Sequence, residues 1–181
     1  ALKLDWMRFT TQQYCDYVRL EAEPLRRYTP DIPITHNLMS TYPGINYFEL
    51  ARELDVVSWD NYPLWRDDEG DDWVAADTAF RHDLHRGLGG GRPFLMMESS
   101  PSATNWQPVA KLRRPGVHRL TSLQAVAHGS DSVQYFQFRK GRGGYEKFHG
   151  AVVDHFATDK TRVFQEVAET GRLLEKLDHV T

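Results

Sequence analysis

The chain has 181 residues, of which 40% are apolar and 12% aromatic, with a formal net charge of -3 and a pI near 6.2. This is the composition of one globular domain, neither disordered nor membrane-spanning, and it offers no basic field for a phosphate backbone, so nucleic acid is not an expected partner. One cysteine, Cys15, excludes an internal disulfide and a Cys-cluster zinc site. No apolar run approaches the roughly 20 residues a membrane helix needs, and the opening ALKLDWMRFT lacks the basic start and apolar centre of a signal peptide.

In chain order, Thr10-Thr11 precede Tyr14, Tyr17, Val18, Ala22 and Leu25, a helical spacing that predicts a helix over residues 11 to 28. Ile32 to Thr35 predicts a short strand that runs into His36 and Asn37. Tyr47 to Leu54 is expected to be a helix and Val56 to Trp59 a strand. Asp71 to Leu88 has Asp near its start and Gly89-Gly90-Gly91 past its end, the polarity of a helix, and Phe94 to Met97 is the next strand. Pro115 to His128 predicts a helix, Ser132 to Phe138 a strand, and Lys160 to Leu177 a closing helix.

Helices alternating with short apolar strands indicate a parallel sheet covered by helices, here four units in one domain. An open doubly wound sheet would carry a Gly-rich phosphate turn between a strand and its helix. The Gly89 to Gly91 run instead lies between a helix and a strand, and Gly141 to Gly144 is followed by no clear helix. The longest connections follow the strands, at 60 to 70, 99 to 115 and 139 to 158, as do the loops that build the active face of a (β/α)8 barrel. A whole barrel takes about 250 residues, so the expectation is half of one.

On a barrel, PFLMMESSPSATNW (93–106) is a buried strand that delivers Glu98 to the catalytic mouth, with Trp106 following on a polar loop. Position alone allows a plainer reading, in which Glu98 caps a helix or pairs with Arg113 or Arg114. Trp106 could be a platform for the apolar face of a sugar ring or could fill a gap beneath a loop.

The segments PITHNLM, VVSWDNYP, PFLMMESSPSATNW and YEKFHGAVVDH together resemble the C-terminal half of the catalytic barrel, about strands 5 to 8, of the glycoside hydrolase family 42 β-galactosidases. The resemblance spans nearly the whole chain and implies that residues 1–181 form a partial (β/α)8 catalytic domain. It implies a retaining hydrolase acting on terminal β-D-galactosides, with no metal and no cofactor. By motif match, Glu98 is the nucleophile, Trp106 lines the galactose site, Glu146 and His149 hydrogen-bond sugar hydroxyls, and Tyr62 donates to Glu98. The full proteins of the family are expected to be bacterial, cytoplasmic homo-oligomers, commonly trimers.

Two departures qualify that expectation. The family's acid/base glutamate lies in an Asn-Glu pair at the end of strand four, and no such dipeptide occurs here, so the acid/base is expected upstream of residue 1. Phe138 stands where the family usually has tryptophan, which keeps an aromatic surface and loses an indole N–H donor. A different reading of the same residues is a half-barrel that binds galactosides without cleaving them. A third is a metal-dependent hydrolase using His36, His128 and His149, without a His-x-His or His-Glu-x-x-His pair to support it.

Overall fold

The computed structural model describes residues 1–65 and 70–177. Four strands form one parallel sheet in sequential order: β1 (Thr35–Leu38), β2 (Val56–Asn61), β3 (Phe94–Ser99) and β4 (Ser130–Val133). The helices are α1 (Leu2–Tyr28), α2 (Tyr47–Leu50, continued by a 3-10 turn over Ala51–Glu53), α3 (Asp71–Leu88), α4 (Val117–Ala127) and α5 (Arg162–Leu174). The alternation of helix and strand is that of the sequence reading, and α3 has the bounds expected for it. The connection expected over 60 to 70 includes residues 66–69, which lie outside the described residues.

Most boundaries move by a few residues, and three differ in an instructive way. Thr10 and Thr11, taken as the start of the first helix, turn their hydroxyls back to the carbonyls of Trp6 and Met7 at 2.9 Å each, so they sit inside a longer α1 instead of capping it. The first strand begins at Thr35, not Ile32. Pro33 has no N–H to give a ladder, and Ile34 N donates to the Asp55 side chain at 2.7 Å before Thr35 pairs with Val56. β4 begins at Ser130 and ends at Val133, because residues 137 to 139 leave the sheet to bond with the segment around 150 to 153: Val152 N donates to the Gln137 carbonyl at 2.9 Å and Val153 N to that of Phe138 at 2.7 Å.

The largest apolar cluster lies between the sheet and the helices α1 and α2, with Cys15, Val18, Leu38, Leu50, Val57, Trp59 and Phe94 at its heart. Parallel strands covered by helices bury their apolar side chains, and Trp59, Phe94 and Met96 are at most 1% exposed. A smaller cluster of Trp65, Val74 and Val117 joins α3, α4 and the connection that follows β2. The core therefore holds β2 and β3 firmly along their length and leaves their C-terminal ends to open into the polar connections.

Candidate active site

β2 and β3 run side by side, and a register shift between Trp59 and Asp60 sets Asp60 opposite Glu98 and Asn61 opposite Ser99. Tyr62, just past β2, thus stands beside the end of β3, and its hydroxyl donates to Glu98 Oε2 at 2.8 Å. Burial and the adjacent Glu98 charge push the Tyr62 phenol well above its usual range, so the proton stays on Tyr62 and the tyrosine is a fixed donor.

Neither arginine that could have paired with Glu98 does so. Arg114 bonds Asp71 at the start of α3, and Arg113 is buried, pushed down to about 10 by desolvation. On the strand beneath, Asp60 Oδ2 accepts from Asn37 Nδ2 of β1 at 2.7 Å. Burial, with Glu98 as a further negative neighbour, pushes the Asp60 carboxyl up to about 6.

The polar connection after β3 brings Trp106 to Tyr62, ring centroids 5.3 Å apart and nearly perpendicular. Trp106 is 59% exposed, so its indole is an open aromatic surface beside the Tyr62–Glu98 pair and not a filler under a loop. The connection after β4 folds over the same place. A 3-10 turn at Tyr145–Phe148 carries Glu146, which is exposed, and leads to His149, which is 1% exposed.

His149 Nδ1 lies 3.3 Å from Glu146 Oε2 and 3.0 Å from Asn105 Oδ1, while its ring meets Tyr62 edge-on at 5.9 Å. Burial pushes the His149 imidazole down, against the opposing pull of Glu146, the Phe136 carbonyl and Glu98. A cavity of about 460 Å³ adjoins this cluster, lined among others by Asp60, Tyr62, Trp73, Arg81 and Trp106.

All five residues singled out in the sequence, Tyr62, Glu98, Trp106, Glu146 and His149, fall in one neighbourhood linked by these contacts. His149 occupies the inside of it, holding Glu146 and Tyr62, while Glu146 and Trp106 face outward. Asn105, which the sequence reading did not single out, meets His149 here, and nothing local in SATNW distinguishes such an amide from an ordinary loop residue. The three histidines of the metal reading are apart in their contacts. His36 is exposed on β1, His128 at the end of α4 pairs with Asp83 at 2.7 Å, and among the described residues no group of three or more His, Cys, Asp or Glu is placed to hold a metal.

Comparison with known proteins decides the family. The glycoside hydrolase family 42 β-galactosidase model matches residues 1–177. This chain belongs to glycoside hydrolase family 42. It is 59% identical over 183 aligned residues to β-galactosidase Pbg of Clostridium perfringens, covering 99% of this chain and 27% of the relative. β-Galactosidase BglY of Alicyclobacillus acidocaldarius is 57% identical, with 98% and 26% covered. Among solved structures, the β-galactosidase from Rahnella sp. R3 superposes with a TM-score of 0.95 at 54% identity, over 97% of this chain and 26% of that one.

Gan42B, a GH42 β-galactosidase, superposes with a TM-score of 0.94 at 50% identity, over 97% and 27%. The chain spans about a quarter of the length of the relatives it matches. Its α/β architecture with a parallel sheet is that of the family 42 structures, and no helix among the described residues is long and apolar enough to cross a membrane.

Proposed function

We propose that residues 1–181 are the nucleophile-bearing second half, about strands 5 to 8, of a retaining family 42 β-galactosidase barrel acting on terminal β-D-galactosides. The observation that carries this reading is the Tyr62 hydroxyl on Glu98 Oε2 at 2.8 Å, at the ends of two adjacent parallel strands, with the Trp106 indole open beside it. A carboxylate held in place by a fixed hydroxyl donor, next to an aromatic platform, suits attack on the anomeric carbon of a sugar stacked on that platform.

In the step assigned to this chain, a Glu98 oxygen forms a bond to the anomeric carbon as the bond to the leaving oxygen breaks. The electron pair of that bond departs with the leaving group. The Glu98 carboxylate gives up its negative charge as the ester forms, the Tyr62 hydroxyl stays protonated with a weaker hydrogen bond to it, and Glu146, oriented by His149, accepts from sugar hydroxyls. Ordinary alkoxide leaving groups must be protonated as they depart, and this sequence has no Asn-Glu pair to supply the acid. Turnover of lactose is accordingly assigned to the full-length enzyme, in an oligomer, and not to these residues alone. The same gap gives the binding-without-cleavage reading its one supporting observation.

The test is intact-mass analysis of the chain after incubation with 2-deoxy-2-fluorogalactosyl fluoride, followed by peptide mapping. Fluoride leaves without protonation, so an upstream acid is not needed for the first step. The expected result is one added fluorogalactosyl group on Glu98, absent in Glu98→Gln. Galactose binding with no covalent label would select the binding-only reading, and label on another residue would reassign the nucleophile.

A further inference from the structure

We propose that Asn105 is a positioning residue of the sugar site: its amide fixes the Nδ1-protonated tautomer of His149 and clamps the loop that carries Trp106 to the turn that carries Glu146. The substrate side of this inference rests on the galactoside reading above.

Two acceptors face His149 Nδ1, and the Phe136 carbonyl is a further acceptor near the ring that makes no hydrogen bond of ordinary geometry to Nε2. Asn105 Nδ2 donates to the Tyr145 carbonyl at 2.6 Å, which fixes the amide's orientation because only the NH2 end can meet a carbonyl. Asn105 Oδ1 is then the atom 3.0 Å from His149 Nδ1, and an amide oxygen can only accept. The second neighbour of Nδ1, Glu146 Oε2 at 3.3 Å, is also an acceptor. With two acceptors and no donor facing it, Nδ1 is the nitrogen to which the hydrogen is assigned. Burial favours the uncharged ring, so Nε2 keeps its lone pair, and Nε2 is buried with no hydrogen-bond partner among the described residues.

The imidazole is held edge-on by Tyr62 at 5.9 Å and by Phe136 at 5.1 Å, so it has little freedom to turn over. The charged groups acting on it are Glu146 on its own segment, Glu98 on β3 and Lys140 on the connection after β4, together with the Phe136 carbonyl.

The backbone closes the same clamp. Gly150 N donates to the Ala103 carbonyl at 2.7 Å, and a Cβ at Gly150 would stand 2.0 Å from Ser102 Oγ and 2.6 Å from the Ala103 oxygen. The two connections meet so closely that Asn105 has a single place to sit. Removing its amide frees both the Trp106 loop and the turn that carries Glu146, so that neither acceptor is held against Nδ1.

The experiment uses the 15N-labelled chain, long-range 1H–15N spectra of the His149 ring, and titration with D-galactose. Expected are an Nδ1–H signature in the wild type, loss of that single tautomer in Asn105→Ala, and roughly tenfold weaker galactose binding, the effect of about one net hydrogen bond. Asn105→Asp keeps an acceptor at Nδ1 and should restore the Nδ1–H form while raising the pH at which His149 titrates, a response that a merely structural contact would not give.

An Nε2–H ring in the wild type, donating to Phe136, would overturn the proposal. So would an unchanged tautomer or unchanged galactose affinity in Asn105→Ala. If wild-type chain shows the Nδ1–H signature, lost in Asn105→Ala, but galactose moves no signal, the galactoside reading of the site falls while the tautomer assignment stands.

Discussion

Along the helix side of β2 and β3, Trp59 stacks on His85 at 4.5 Å and meets His82 edge-on at 5.0 Å, all three at most 1% exposed. At the ends of the same strands, Asp60 and Glu98 stand partly open beside Tyr62 and Trp106. Burial acts on both regions in one way, by favouring whichever form is uncharged, yet it moves their acids and bases in opposite directions. The two imidazoles are pushed down, His82 to about 3 and His85 to about 4, while Asp60 is pushed up to about 6. The core can keep neutral imidazoles as aromatic packing units. The site instead keeps carboxylates, each with a donor: Asn37 for Asp60 and Tyr62 for Glu98.

The largest expected effect lies in the core. A base whose folded pKa is depressed contributes stability that is present above its unfolded value near 6.5 and is lost as pH falls toward the folded value. For His82 that window runs from about 6.5 down to about 3, a loss on the order of 5 kcal/mol if the ring stays buried. Both ring nitrogens of His82 lack partners among the described residues, so His82→Leu should keep the packing and flatten the acid limb of a urea-midpoint profile. An acid limb as steep as that of the wild type would show that the ring is protonated in the folded state.

Smaller is the effect of Tyr62→Phe. Tyr62 orients Glu98, so labelling of Glu98 by the fluorosugar should slow roughly tenfold, and losing a hydrogen bond to a charged acceptor should lower the urea midpoint by the equivalent of about 1.5 to 3 kcal/mol without changing the slope of the acid limb. Equal labelling rates would break the separation between site and core.

The smallest effect is the slope contributed by Asp60. Its raised pKa makes its contribution greatest below about 3.8 and lost as pH rises through about 6, opposite in sign to His82 over the same interval. Asp60→Asn should therefore raise stability at pH 7 and steepen the acid limb between pH 4 and 6. An unchanged slope would place Asp60 in contact with solvent in both protonation states.

The fold was legible wherever local chemistry and tertiary packing agreed. Asp71 to Leu88 has acidic residues at its start and glycines after its end, and α3 has those bounds. Phe94 to Met97 announced a buried strand, and the carboxylate after it was correctly placed at the strand's end. The sequence misled where an alternative partner lay far along the chain. Thr10 and Thr11 look like the start of a helix until the preceding turn offers its carbonyls, and Gln137 and Phe138 look like the end of a strand until the segment from Gly150 to Val153 takes their hydrogen bonds. Within the site, residue types were visible and their depth was not. His149 and Glu146 are three residues apart, and only folding assigns one to the inside and the other to the surface. Asn105 had no signal of its own, because its role is made by Tyr145 and His149, 40 and 44 residues away.

The sequential order of the sheet, in which each strand lies between its neighbours in the chain, makes this molecule close to a one-dimensional stack. Tyr62 and Glu98 come from successive layers of that stack, and the Trp106 and His149 segments belong to the layer of Glu98 and the next one. The alignment of donor, carboxylate and aromatic surface is thus fixed by two consecutive joints. A length change within α1, or in the turn before β1, can be absorbed without moving it, whereas a one-residue slip between β2 and β3 would take Tyr62 away from Glu98 and send alternate side chains to the other face.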